Sequence, residues 1–175
     1  ELKYLKIPIP DGFVITPLFF KEFLDKTGIS AKIKEIHKLN HPAIKESVLK
    51  LFTPIKKQIV RTEIPKCLTT KIYNSYRKLS GAFKESSLKV FSSSFDNKSL
   101  LFSNVKGDAN LILKIKTIWS SYLENPVNIV VQKNILSKIK GKIFTDDLSS
   151  IQQNFLTSEQ VNQLKSNALK IKKHF

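Results

Sequence analysis

The stretch Ile7–Thr16, IPIPDGFVIT, restricts the fold more than any other in this chain. Pro8 and Pro10 fix φ and remove two backbone donors, so Ile7–Pro10 must run extended. Asp11-Gly12 supplies a turn pair, after which Phe13, Val14 and Ile15 resume as a short buried strand. Thr16 before Pro17 reads as an N-cap followed by an N1 proline, opening a helix over Pro17–Lys26. An extended arm, a turn, a strand and a capped helix thus follow one another within a few turns of chain.

Hydrophobic spacing organises the rest of the chain. Phe19, Phe20, Phe23 and Leu24 share one side of the first helix, with Gly28 as its stop. Ile29–Asn40 is lysine-rich with Ile33, Ile36 and Leu39 at helical spacing, and His41-Pro42 breaks it. Pro42–Phe52 predicts another helix, Thr53-Pro54 an interruption, and Ile55–Arg61 a short helix. Leu68, Ile72, Tyr76 and Leu79 form a stripe in a longer helix that Gly81 closes. Beyond it the character changes. Leu88–Phe91 and Leu100–Val105 predict strands, and Asp108–Leu123 a helix whose Leu111, Ile112, Ile115, Ile118, Trp119 and Tyr122 face inward. Val127–Gln132 and Lys138–Thr145 predict further strands, with Gly141 at a turn or bulge. Thr157 and Gln160 form a capping box before a helix striped by Val161, Leu164, Ala168, Ile171 and Phe175. Helices, then mixed strands and helices, make the fold class α+β. The expected organisation is one domain over residues 1–175, in two lobes: 1–81 mainly helical with a short strand, and 82–175 mixed.

Composition narrows the function classes. The formal charge of +16 invites a nucleic-acid reading, yet of 30 basic residues only Arg61 and Arg77 are arginine. Bidentate recognition of phosphate or base edges favours arginine, and the lysines are scattered rather than grouped. The charge is therefore read as solvated faces, with nucleic acid not expected as a partner. No apolar run approaches the length of a membrane span, and no signal-peptide pattern opens the sequence. Cys67 is the sole cysteine, which excludes an internal disulfide framework. A cytoplasmic location is the expectation. The absence of methionine and the start at Glu1 read as a piece of a longer chain.

The phrases of this sequence resemble, in order, those of the N-terminal ATP-binding domain of the phosphoenolpyruvate synthase and pyruvate phosphate dikinase family. IPIPDGFVIT resembles that family's I-P-V-P-x-G-F-V-I-T, and Ile64–Ser80 resembles its L-P-x-x-L helix. KVFSSS at Lys89–Ser94 resembles V-A-V-R-S-S-A, and FSNVKG at Phe102–Gly107 resembles F-L-N-V-R-G. Ile118–Leu123 resembles C-W-A-S-L-F, and VNIVVQKNIL at Val127–Leu136 resembles M-A-V-V-V-Q-x-M-V. Gly141–Thr145 resembles S-G-V-x-F-T, and Leu156–Phe175 resembles a helix beginning L-T-x-E-Q-I. The resemblance implies an ATP-grasp-like fold of two α+β lobes clamping ATP with Mg2+. The phosphoryl group would pass to a phosphohistidine carrier domain and on to a pyruvate-binding domain, both outside this chain.

It also implies site residues. Gln132, Lys133, Asn134 and Ile135 match the strand-to-linker hinge whose backbone pairs with adenine. Ser92 and Ser93 match the serines after a phosphate-binding arginine, where hydroxyls and N–H groups in a tight turn would make an anion nest. Phe91 stands in place of that arginine, with Lys89 or Lys84 as substitutes. The family's glycine-rich segment with its ATP lysine falls before Glu1. Its metal carboxylates have no clear match, since Asp146-Asp147 runs almost directly into the last helix. No metal site is assigned and the catalytic residues are unknown, so whether this chain transfers phosphate by itself stays open. Two alternatives stand beside this reading: a degenerate relative that binds or scaffolds without catalysis, and a lysine-rich nucleic-acid binder. His37 and His41 are four apart, but Pro42 and the absence of a third ligand make them surface histidines rather than a zinc pair. Cys67 is assigned to packing, and Asn97-Lys98-Ser99 to a chance match to a glycosylation acceptor.

Overall fold

A computed structural model describes residues 2, 4–38, 45–80, 86–94, 99–135, 141, 143–147 and 156–174, with backbone alone for 45–49. They form two compact units, Asp11–Asn134 and the combination of Glu1–Pro10 with Ile135–Phe175.

The larger unit is α+β. Its elements are β1 (Gly12–Ile15), α1 (Pro17–Lys26), α2 (Ile29–Lys38), α3 (Lys45–Arg61), α4 (Lys66–Ser80), β2 (Leu88–Ser92), β3 (Leu101–Val105), α5 (Asp108–Ser121) and β4 (Ile129–Lys133). The strands make one sheet in the order β1-β4-β2-β3, with every neighbouring pair antiparallel. Helix α5 packs on β2 and β3, α3 on α5, α2 on α3, and α1 on α2.

The opening helix forms over the predicted residues but without the predicted side-chain cap. Thr16 is extended (φ −83°, ψ 161°) and Pro17 occupies the first turn; the Thr16 hydroxyl makes no capping bond, and its carbonyl accepts from Phe19 and Phe20 instead. At the far end Gly28 adopts φ +70°, the left-handed geometry that stops a helix at little steric cost. Phe20 and Phe23 are buried against Trp119 of α5, with ring centroids 5.1 and 5.0 Å apart. Phe19 joins them at 6.4 Å. This aromatic group ties the first helix to the helix beneath the sheet.

Three expectations are corrected. Helix α3 runs unbroken through Pro54. A proline removes one intrahelical bond, whereas Phe52, Ile55 and Ile59 form a continuous buried stripe across it, and packing outweighs that single loss. The strand predicted over Lys138–Thr145 is absent from Gly141 and Ile143–Thr145, which lie in no strand; the rest of it falls outside the described residues. Cys67 is exposed rather than packed, because the buried face of α4 is set by Leu68, Ile72 and Tyr76. Gly81, Lys84, His41, Pro42, Asn97, Lys98 and Phe175 also lie outside the described residues.

Lys116 is drawn partly into the packing of this unit. Its ammonium donates to the Thr62 carbonyl at 3.1 Å, and burial lowers its pKa below the ordinary lysine value.

In the smaller unit, α6 (Ser158–His174) opens on the predicted capping box. Thr157 N–H donates to Gln160 Oε1 at 2.9 Å, and Gln160 N–H donates to Thr157 Oγ1 at 3.2 Å. Val161 and Ala168 of its stripe are buried, and Lys172 pairs with Asp146 at 3.1 Å.

Trp119→Ala is expected to lower the unfolding free energy of the larger unit by about 3–5 kcal/mol, measured by urea denaturation. Gly12→Ala tests the β1–β4 seam. A Cβ there would stand 2.5 Å from the Val131 carbonyl oxygen and 2.8 Å from Gln132 Cγ, so the strands must part. A loss of about 1–3 kcal/mol is expected in the same assay.

Candidate functional site

The sheet has two unlike faces because side chains alternate along each strand. Ile15, Leu88, Val90, Val105, Ile129 and Val131 point to one face and are buried. The other face carries Gly12, Val14, Lys89, Phe91, Leu101, Val130 and Gln132. Register aligns these residues in rows: Gly12 opposite Gln132 opposite Lys89, and Val14 opposite Val130 opposite Phe91 opposite Leu101. Val14 and Leu101 are each 54% exposed, and Lys89, Phe91, Val130 and Gln132 are intermediate, so this face is left half-open. Lys89 is the charged residue among these, and no carboxylate pairs with it among the described residues.

Ser92 and Ser93 lie at one end of this face. An open pocket of about 390 Å³ sits there, lined by Lys89, Phe91, Ser93, Ser94, Ser99 and Leu101 among others. The two serines differ sharply. Ser92 is 3% exposed and its side chain belongs to the buried face. Its hydroxyl donates to Tyr122 Oη at 3.2 Å and accepts from Leu100 N–H at 3.0 Å. Its own N–H donates to the Leu100 carbonyl, and Ser93 N–H donates to the Asn128 carbonyl. The free N–H groups that an anion nest requires are therefore engaged in extending the sheet. The side chains of Ser93 and Ser94 at this turn are half-buried.

Gln132, Lys133, Asn134 and Ile135 lie at the other end. Ser92 pairs with Ile129 while Leu88 pairs with Lys133, so the serine turn and the far end of β4 are separated along the strands by roughly 13 Å. Gln132 projects from the half-open face. Lys133 N–H donates to the Asp11 carbonyl at 2.9 Å and Asn134 N–H to the Ser87 carbonyl at 2.8 Å. The Asn134 amide nitrogen also donates to Asn104 Oδ1 at 2.7 Å and to Ser87 Oγ at 3.3 Å. Asn104 itself adopts φ +58°, a left-handed conformation that asparagine tolerates better than most residues. Ile135 is 60% exposed. The chain passes between the two compact units at Asn134–Ile135 and at Pro10–Asp11.

Sequence reasoning missed Asn104 and Ser87, which hold the strand end through side-chain bonds. They meet beside the register shift of the β2–β3 pair, between segments remote in sequence, so no local pattern signals them. Residue type alone offers Lys89 merely as a substitute for arginine, whereas alternation along β2 places it on the same face as Phe91.

The described residues gather no metal-ligating cluster. No group of three or more histidine, cysteine or acidic side chains that could hold a metal ion occurs among them, and Asp146 is ion-paired with Lys172. His37 packs its ring against Phe52, with centroids 5.6 Å apart.

Residues 1–135 match the family model described as the pyruvate phosphate dikinase AMP/ATP-binding domain. Similar proteins include the phosphoenolpyruvate synthase of Aeropyrum pernix, 31% identical over 169 aligned positions that cover 79% of this chain and 20% of that protein. A probable phosphoenolpyruvate synthase of Archaeoglobus fulgidus is 30% identical, covering 83% of this chain and 23% of its own length. The phosphoenolpyruvate synthase of Helicobacter pylori is 32% identical, covering 69% of this chain and 16% of that protein. The chain thus spans about a fifth of the length of the curated relatives it matches. With a match over more than half its residues, on a sheet whose register keeps the expected hinge strand central, this chain belongs to the pyruvate phosphate dikinase AMP/ATP-binding domain family.

Proposed function

We propose that this chain is the nucleotide-binding domain of a phosphoenolpyruvate synthase-like phosphotransferase, binding ATP on the half-open face of the sheet. One observation carries the reading: a chain of the AMP/ATP-binding family keeps one sheet face half-open, bounded by the strand end at Gln132–Ile135. Adenine lies at that end, against the backbone of Gln132, Lys133, Asn134 and Ile135. The phosphates run toward Ser93, while Ser92 braces the turn from below. The roughly 13 Å between the two ends is on the scale of an extended nucleotide. The two-lobed ATP-grasp-like clamp, with one nucleotide-binding domain over residues 1–175, belongs to the same reading. Phosphate leaves for a carrier histidine and a pyruvate-binding domain elsewhere in the parent protein. Mg2+ accompanying the nucleotide belongs to the same reading. No described helix is long and apolar enough to cross a membrane, and a cytoplasmic setting is part of the proposal.

A second reading is favoured by Phe91. An aromatic ring on the half-open face offers no hydrogen bond to phosphate and suits a relative that scaffolds or binds a partner without catalysis. Calorimetric titration with ATP, with and without magnesium, separates the two. Saturable 1:1 binding is expected. No heat at any ATP concentration, from protein whose circular dichroism shows the mixed fold, leaves the scaffold reading instead. Duplex DNA at low salt is expected not to bind; affinity with a steep salt slope would point to nucleic acid.

A further inference from the structure

Resting on the nucleotide-binding reading above, we infer that Lys89 is the residue that anchors the nucleotide phosphate nearest the ribose. The half-open face carries Lys89 as its one charged strand residue among those described, and register sets it directly opposite Gln132. Side chains in such a pair stand roughly 5 Å apart at Cβ, so the ammonium group works within reach of whatever Gln132 touches. Lys133 follows Gln132 in the strand and therefore sits on the opposite parity, with Leu88 as its cross-strand neighbour. A lysine on a flexible stem is a mobile point charge suited to a single phosphate rather than to bidentate grip.

Position along the strand determines which phosphate that is. The next side chain of β2 on this face, at roughly 7 Å farther from the hinge, is Phe91, and its cross-strand neighbour is Leu101. Both are apolar and give nothing to an anion. A nucleotide whose base sits at the Gln132 end meets its cation early and an apolar row afterwards. Beyond that row the pocket is lined by Ser93, Ser94 and Ser99. The ligand class is therefore an adenine nucleotide recognised through its first phosphate, with little discrimination among AMP, ADP and ATP.

Titration of the protein and its Lys89→Met and Lys89→Arg variants with AMP, ATP and adenosine tests this. Loss of one charge-assisted contact predicts that Lys89→Met weakens AMP and ATP alike by about tenfold. Adenosine affinity should be unchanged, and Lys89→Arg should restore most of the phosphate-dependent binding. If the parent binds ATP and Lys89→Met binds it equally well, Lys89 is not the anchor, although the nucleotide reading stands. A loss for ATP with AMP untouched overturns the placement at the first phosphate. An equal loss for adenosine marks a structural role and also overturns it. A parent that binds none of the three removes the nucleotide reading itself.

Discussion

The pairing of β4 between β1 and β2 is the constraint on which the larger unit depends. Ile129 and Val131 are fully buried on one face of this central strand, whereas Val130 and Gln132 emerge on the other. Side chains alternate with a period of two, so a slip of one residue would drive Gln132 into the core and expose both buried residues. The register that buries the core is thus the register that aligns Gln132 with Gly12 and Lys89. Stability and the candidate site share a single geometric choice.

Polar groups around that site mostly hold the sheet ends. Ser92 uses its hydroxyl and its N–H on Tyr122 and Leu100, and Asn134 reaches Ser87 and Asn104. Buried or partly buried polar atoms without partners are costly, which explains why these side chains bond one another across loop ends. The result is a hydrogen-bonded rim around a half-open, largely apolar face. A ligand meets few donors there, and the position of each one along the strands matters accordingly.

The helical layer beneath was largely legible in the sequence. The stripe Leu68, Ile72, Tyr76 and the inward face of α5 declared themselves by spacing. In the smaller unit, described by itself, the capping box at Thr157 and Gln160 formed as its residue types require. Pro54 misleads because a local breaker says nothing of the buried stripe on either side of it. Ser92 misleads in another way: residue type indicates hydrogen-bonding capacity but not its destination, and strand parity turns the hydroxyl inward.

By itself, then, the sequence determined the family, the α+β class, most helix boundaries and the presence of the strand that becomes β4. These follow from turn chemistry, capping and apolar periodicity, all of which act between residues close in the chain. Tertiary structure alone decided the strand order β1-β4-β2-β3, the face each side chain occupies and the alignment of Lys89 with Gln132. Those depend on pairing between segments remote in sequence, where hydrogen-bond register, rather than local preference, selects what meets what.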